Sequence, residues 1–483
     1  MQFLTIQRIL GILLGLFSLS LLPPIAVSLF YQDGSTEAFV YAFILLLATG
    51  FIFWFPVRQH RKELKVRDGF LVVVMFWVTL SLSGAVPFFL TQVPEMSFTD
   101  AVFESVSGLT TTGATVLTNL DNLPKAVLFY RQFLQWLGGM GIVVLAVAIL
   151  PLLGVGGMQL YRAETPGPMK DSKLTPRITE TAKALWYIYL TLTALCALSY
   201  YLAGMSWFDA ISHSFSTVAI GGFSTHNESI GYFNSATIEM VAVFFMLLAG
   251  MNFSLHFLAW RHRSISHYWG DSELRTYVLV LVAISFVTAA YLFFTRTFAD
   301  PWAAIHHGVF QAVSIGTTAG FTTTDYYLWP GFLPILLLMA SYIGGCAGST
   351  GGGMKVIRVM LLFKQGYREV LRLIHPNAVI AIKVNNKAMS SKVVGAVWGF
   401  FALYVFSFSF MHLLLMSTGL DIVTSFSAVT ACLNNLGPGL GEVGENYSSI
   451  NSTSKWVLCM AMLLGRLEIF TLLVVLTPAF WKR

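Results

Sequence analysis

The stretch SGLTTTGATV, residues 107–116, has three relatives further along the chain: STVAIGGFST at 216–225, SIGTTAGFTT at 314–323 and ACLNNLGPGL at 431–440. Aligned, each carries a glycine at its seventh position, giving Gly113, Gly222, Gly320 and Gly437 at intervals of 109, 98 and 117 residues. Each glycine follows an apolar run and a short amphipathic stretch, and another apolar run comes after it. A single such segment reads as an ordinary exposed turn. Four in register, each between two apolar runs, read as one unit used four times: helix, short helix, extended glycine-containing loop, helix. Asp100 and Asp209 lie thirteen residues before their glycines, and the last two copies lack that acid.

The surroundings decide where these units live. Of 483 residues, 56% are hydrophobic and 11% charged, with mean hydropathy +0.71, whereas soluble domains carry about 25% charged residues. The chain is therefore an integral membrane protein. Runs long enough to cross about 30 Å of hydrocarbon occur near 9–31, 38–57, 69–90, 125–153, 184–206, 236–260, 276–295, 329–348, 393–416 and 455–477. The first is too long for a signal-peptide core and lacks a small-residue cleavage site. Cys196, Cys346, Cys432 and Cys459 all lie in apolar or glycine-rich runs and form neither a disulfide framework nor a metal-ligand pattern.

Charge orients the spans. Segments 58–67, 154–183, 261–275 and 355–392 hold 5, 5, 3 and 8 Lys or Arg; with Arg8, Lys482 and Arg483 they make 24 of 29. The positive-inside rule puts these segments and both termini in the cytoplasm. The opposite segments and adjoining helix ends hold 14 of the 23 acids. Such a face either gathers cations at an external mouth or simply solubilises the loops.

Backbone that is neither helix nor closed barrel survives at membrane depth only when buried in protein or lining a watery cavity. Four parallel copies imply rotation about an axis along the membrane normal, with the loops lining a central pore. Glycine takes positive φ at little steric cost, so consecutive carbonyls can turn toward one line and replace the water shell of an alkali cation. The candidate ligands are the backbone oxygens of Thr111, Thr112, Gly113, Ile220, Gly221, Gly222, Thr318, Ala319, Gly320, Asn435, Leu436 and Gly437. No ring of carboxylates is present, which argues against a divalent-cation filter.

The motifs LTTTGATV, IGGFSTH, TTAGFTTT, LNNLGPGLGEVG, IGGCAGSTGGGMKVIR and LLGRLEIFTLL resemble the pore loops and second helices of the Trk/Ktr/HKT potassium-transport superfamily over essentially the whole chain. The two extra N-terminal spans make it more similar to the bacterial Trk membrane subunit than to the shorter Ktr one. The resemblance implies an all-α polytopic membrane protein: four tandem helix–pore loop–helix repeats in pseudo-fourfold arrangement plus two N-terminal transmembrane helices. It also implies K⁺ as the transported ion, a homodimer in membrane lipid, and a cytoplasmic ring of nucleotide-binding TrkA-like regulatory subunits. No organic cofactor or nucleic acid is expected. Sodium-favouring plant relatives carry serine at the first filter position, which here is Gly113. Domain boundaries follow as 1–68, 69–160, 161–270, 271–375 and 376–483.

Two anomalies remain inside the spans. From Trp329 to Lys364 the chain is mostly apolar or small for 36 residues, which as one helix would run roughly 54 Å at about 1.5 Å per residue. IGGCAGSTGGGMK (343–355) carries six glycines, each costing about 1 kcal/mol in a helix interior. A break near 345–353 follows, resuming around Met354, and only this second helix is expected to be heavily broken. Gly139, Gly250, Gly345 and Gly465 fall 26, 28, 25 and 28 residues after their filter glycines, so the broken segment lies deeper than the filter. Gly345, Gly348, Ser349, Thr350, Gly351, Gly352 and Gly353 are the candidate gate. The Gly138–Met140 run instead suggests close helix packing.

The second anomaly is Arg466, mid-span, at an insertion cost of about 2.5–3.5 kcal/mol. Beneath a filter it would repel a cation and donate to carbonyls of the glycine loop; an ion pair with Glu468 is disfavoured, because i and i+2 do not share a helix face. His213, His226, His306 and His307 show no metal-site spacing. Segment 364–387 is basic and partly amphipathic, suited equally to the inner leaflet or to a regulator. The chain reads as a potassium-uptake pore rather than an enzyme: a hydrolase centred on Ser349 would need a histidine or an aspartate pair within the spans. Glu468 is nearly the sole carboxylate there, which leans away from proton-coupled symport. An organic-solute symporter would show inverted repeats.

Overall fold

A computed structural model describes residues 1–60, 62, 64–141 and 178–482. Within them the chain is helical apart from loops and one two-stranded hairpin, Lys383–Val384 with Lys387–Ala388. Six helical segments are long and apolar enough to cross a membrane, or eight if each bent pair counts as one span. The sequence-predicted span at 125–153 starts as Lys125–Trp136 and continues as a π-helical turn, Leu137–Gly141, beyond which it lies outside the described residues.

The fourfold unit is regular. Spans Val66–Leu90, Ile178–Leu202, Ser272–Phe294 and Ser391–Ser417 lead into short helices Phe98–Leu109, Trp207–Ala219, Pro301–Gly316 and Ile422–Leu433. Each short helix starts on a side-chain cap: Ser97, Ser206, Asp300 and Asp421 accept from backbone N–H groups of the first turn. In the first two copies the acid stands at the third helical position, where Asp100 and Asp209 accept from the capping serine hydroxyl at 2.7 Å. In the last two the acid is itself the cap. Every copy thus places a carboxylate where the helix dipole is positive; relative to the loop glycine, the acid of repeats three and four lies seven and three residues further toward the N-terminus, as Asp300 and Asp421.

Phe3–Leu19 and Leu22–Tyr31 join Thr36–Trp54 as the N-terminal pair, packed closely enough that a Cβ on Gly11 would stand 2.6 Å from the Trp54 nitrogen. The largest core runs from this pair through repeat one to repeat four.

The expectation of a single broken second helix is wrong. Ala236–Ala249 and Phe253–His262 meet at 89°, and Ser452–Arg466 and Phe470–Leu476 at 116°. Glycines near both breaks are pressed by a neighbour: a Cβ on Gly250 would lie 2.2 Å from the Tyr277 hydroxyl, and one on Gly465 would lie 2.2 Å from the Leu433 carbonyl oxygen. In repeat one, a Cβ on Gly138 would lie 1.9 Å from the Leu109 carbonyl oxygen. Leu109 and Leu433 are each four residues before their loop glycine, so the two contacts are equivalent. In repeat one the contact falls on Gly138 rather than on Gly139, the residue aligned from sequence.

Gly138→Ala is expected to destabilise the protein by about 1–3 kcal/mol, the usual cost of overpacking. Gly366→Ala, exposed in Val356–Ile374 with nothing within 4 Å of its Cβ position, should gain up to about 1 kcal/mol. Thermal unfolding in detergent, followed by loss of the monodisperse peak, distinguishes the two.

Candidate functional site

The short helices end at Leu109, Ala219, Gly316 and Leu433, and the chain then reverses in the same conformation four times. Thr111, Ile220, Thr318 and Asn435 have φ of 56°, 53°, 70° and 54°; two residues on, Gly113, Gly222, Gly320 and Gly437 have 81°, 78°, 80° and 98°. Left-handed backbone at the glycines was legible in the sequence; at the residue two earlier it was not, because non-glycine residues rarely adopt it.

The loops form one closed ring. A Cβ on Gly113 would stand 2.1 Å from the Gly221 carbonyl oxygen, one on Gly222 2.1 Å from that of Ala319, one on Gly320 2.0 Å from that of Leu436, and one on Gly437 2.7 Å from that of Thr112. Repeat one thus touches two, two touches three, three touches four and four returns to one. The touching atom is always the carbonyl of the residue just before the next copy's glycine. Side chains at the two preceding positions, from Thr111 and Thr112 through Ile220, Thr318 and Ala319 to Asn435 and Leu436, are buried in protein. The four helix C-termini end at this ring and add their partial negative charge to it.

Neighbouring side chains hold the loops in place. Gln135, on the second helix of repeat one, donates to the Gly221 carbonyl at 2.6 Å and accepts from the Phe223 N–H at 3.1 Å; Gln132 donates to the Phe223 carbonyl at 2.9 Å. Arg131 is paired with Glu104 at 2.6 Å, both almost wholly buried, and also donates to the Ser224 carbonyl and the Thr115 hydroxyl. Tyr447 donates to the Gly437 carbonyl at 2.7 Å, and Asn435 to the Thr112 hydroxyl at 3.0 Å. Of the twelve candidate carbonyls, those of Gly221 and Gly437 therefore already have one lone pair engaged. Glu104, Arg131, Gln132, Gln135 and Tyr447 were not singled out from sequence. An arginine and two glutamines within five residues of an apolar helix were the available signal.

On the helix-C-terminal side of the ring lies the glycine tract. Helix Leu333–Ile343 ends, and the next, Val356–Ile374, begins after twelve intervening residues. The tract spans three repeats. Thr350 donates to the Val218 carbonyl at 2.9 Å, Gly352 N–H to the Thr318 hydroxyl at 2.6 Å, and Gly353 N–H to the Asn434 carbonyl at 3.0 Å. Cys346 N–H donates to Gly250 and Phe253 N–H to the Gly348 carbonyl, joining it to the bend in repeat two's second helix. A Cβ on Gly352 would meet the Asn434 carbonyl oxygen at 2.0 Å. Thr350, Gly351, Gly352 and Gly353 thus sit beside residues leading into the ring, whereas Gly345 and Gly348 face Gly250 and Asn252 at repeat two's bend and Ser349 donates back to the Cys346 carbonyl.

Both ends of the tract are tied by a residue missed from sequence. Glu273, buried at the start of repeat three, accepts from Ala347 N–H at 2.7 Å and Ile357 N–H at 3.2 Å.

Among the described residues Arg466 donates elsewhere than to the glycine tract, which is where the sequence places it. Its guanidinium donates to the carbonyls of Gly138 and Gly139, the latter at 2.6 Å, and to the Thr111 hydroxyl at 3.4 Å, and stands 5.3 Å from the centre of the Trp77 ring. Arg466 thereby joins repeat four to the π-turn of repeat one. Glu468 pairs with Arg358 instead of Arg466. Lys355 donates to the Gly351 carbonyl, so two cationic side chains stand near the ring's inner side.

The acids that the charge pattern assigns to the outer side largely serve structure. Asp100, Asp209, Asp300 and Asp421 serve helix starts, Lys455 pairs with Asp100 at 2.7 Å, and His226 bridges Asp121 at 2.5 Å and Asp209 at 3.4 Å. Neither cation gathering nor loop solubilisation accounts for these positions as directly as capping and cross-repeat pairing do.

Comparison with known proteins agrees with this architecture. The family model TrkH, a cation transport protein, matches residues 35–483. The Trk system potassium uptake protein TrkH of Halomonas elongata is 58% identical over 478 residues, covering 99% of both chains. That of Escherichia coli K12 is 54% identical over 482 residues, covering 100% of both. The crystal structure of the potassium transporter TrkH from Vibrio parahaemolyticus superposes with TM-score 0.91 at 55% identity over 100% of each chain. A fourfold helix–loop–helix chain that closes into one backbone ring, and matches that family over nearly its whole length, belongs to the TrkH family of cation transport proteins and is a multi-pass membrane transporter, not an enzyme.

Proposed function

We propose that this protein takes up potassium across the plasma membrane, the inner membrane of its cell, through a carbonyl-lined filter. One observation carries the reading: four equivalent carbonyls, of Thr112, Gly221, Ala319 and Leu436, each lie against the glycine of the neighbouring repeat in unbroken cyclic order. A ring of uncharged oxygens replaces the loosely held water of a large monovalent cation, and the names of the 54–58% identical relatives support potassium as that cation. The ligand set extends to Thr111, Gly113, Ile220, Gly222, Thr318, Gly320, Asn435 and Gly437.

Below the ring the ion meets Arg466, Lys355 and the tract 344–355. Fixed positive charge opposes its passage, and hydrogen bonds from the tract to three repeats hold the plug shut. Opening requires the tract to release Val218, Thr318 and Asn434 together. A membrane potential supplies about 2.3 kcal/mol per charge per 100 mV, enough to drive accumulation through a channel-like path. Proton- or sodium-coupled symport is the second reading, with Glu468, ion-paired to Arg358, as its candidate carboxylate within the spans.

The functional units run 1–68, 69–160, 161–270, 271–375 and 376–483, with both termini cytoplasmic. A homodimer and a nucleotide-binding regulatory ring follow from the Trk resemblance. Helix Val356–Ile374 supports a cytoplasmic partner, since it leaves Phe363, Tyr367, Val370, Leu373 and Ile374 exposed.

The deciding experiment is ⁸⁶Rb⁺ uptake into liposomes holding only this protein, with K⁺, Na⁺ and Li⁺ as competitors. K⁺ should compete and Na⁺ and Li⁺ should not; equal competition overturns the selective filter. Gly113→Ser places its Cβ against the Gly221 carbonyl, forces that oxygen aside, and should lower the Rb⁺/Na⁺ flux ratio about tenfold. Shortening the tract within 348–353, or replacing Arg466 by alanine, should raise basal Rb⁺ flux severalfold. Wild-type flux from a well-folded variant of either kind would remove that element from the gate.

A further inference from the structure

Beside the outer mouth of the ring, three side chains from two repeats converge without being used by the transport path. Glu239 lies in the first turn of repeat two's second helix; His306 and His307 lie in the second turn of repeat three's short helix. Glu239 Oε2 is 3.1 Å from His306 Nε2 and 3.9 Å from His307 Nδ1, and all three ligand atoms lie within 4.8 Å of one another. The Glu239 side chain is 3% exposed, His306 12% and His307 21%.

The polar accounting is unusual. Glu239 Oε2 and His306 Nε2 face each other at contact distance, yet neither makes a hydrogen bond of acceptable geometry among the described residues. Buried carboxylate oxygens and imidazole nitrogens left so are costly. Two electron-pair donors aimed at one point, with a third alongside, are what a cation would satisfy. His307 Nδ1 is 3.0 Å from the Thr323 hydroxyl, a contact that an ion taking the Nδ1 lone pair would replace.

The donor set selects the cation class. Imidazole suits zinc, copper and nickel, whereas potassium and magnesium prefer all-oxygen sites. Zinc bonds to nitrogen and carboxylate oxygen are about 2.0–2.2 Å, so neighbouring ligands in a tetrahedral site stand about 3.4 Å apart. The Glu239–His306 spacing already fits, and His307 need close by only about 1 Å. Two histidines and one carboxylate leave a fourth position for water, reached through the partly exposed imidazoles.

We propose that Glu239, His306 and His307 form an external binding site for a divalent transition-metal ion, with zinc as its probe. Neither adjacent histidines nor a glutamate 67 residues away reveals it in the sequence. The bound ion would tie the second helix of repeat two to the short helix of repeat three. His307 already contacts Thr323, three residues beyond Gly320, so the site lies next to the filter loop without belonging to it.

Equilibrium dialysis of ⁶⁵Zn²⁺ against the purified, chelator-stripped full chain in detergent tests this. One zinc per chain at micromolar concentration is expected, with affinity falling at least tenfold in Glu239→Gln and His306→Asn and unchanged in His262→Asn. No saturable binding, or equal binding in all four proteins, overturns the proposal. If the site variants do not yield monodisperse protein, zinc-edge X-ray absorption of the wild type decides: two imidazoles in the first shell support the site, and fewer than two overturn it.

Discussion

Four backbone carbonyl oxygens occupy the space in which four Cβ atoms would otherwise stand, and this steric exclusion is the constraint on which the rest depends. Only hydrogen fits on Gly113, Gly222 and Gly320, because the next repeat's carbonyl lies about 2 Å from the Cβ position in each case. With the glycines in place, the loops approach edge to edge and close a ring too tight for side chains. Its lining is then backbone by necessity, and uncharged. For the uptake path proposed above, an uncharged, preformed oxygen lining would suit a monovalent ion whose hydration is modest, since a more strongly hydrated one would lose more than carbonyls return.

Such a ring has to be held from outside, because backbone in a non-repeating conformation lacks the internal ladder of a helix. Gln135 and Tyr447 engage ring carbonyls directly, and the Glu104–Arg131 pair braces the segment just after repeat two's loop glycine. Removing one partner of a buried ion pair strands the other at a cost of about 3–5 kcal/mol, so this brace is strongly constrained. It is also lopsided: repeat one's second helix carries the arginine and both glutamines. The same helix then passes into a π-turn, whose Gly138 and Gly139 carbonyls receive Arg466 from repeat four. The support of the ring and the charge beneath it therefore share one helix.

Much of this was legible from residue order. The four glycines, the apolar runs around them and the interruption after Ile343 are local features, and local rules read them. Cross-repeat contacts escaped the same reading for a physical reason. Arg466 was assigned to the glycine tract because depth along a helix can be counted, whereas direction around the pore cannot. The bends at Gly250–Asn252 and Leu467–Ile469 escaped because single glycines do not break a helix unless a neighbour presses on them, as the Leu433 carbonyl presses on Gly465.

Sequence alone determined that the chain spans a membrane, that one unit is used four times, and where backbone must leave the helix, because hydropathy and glycine conformational freedom act within a few residues. Only the tertiary structure decided which carbonyl faces which glycine, which side chains brace the ring, where Arg466 points, and that Glu239 meets His306 and His307. Those facts depend on the rotation of helices about their axes and on the pairing of distant repeats, and packing sets both.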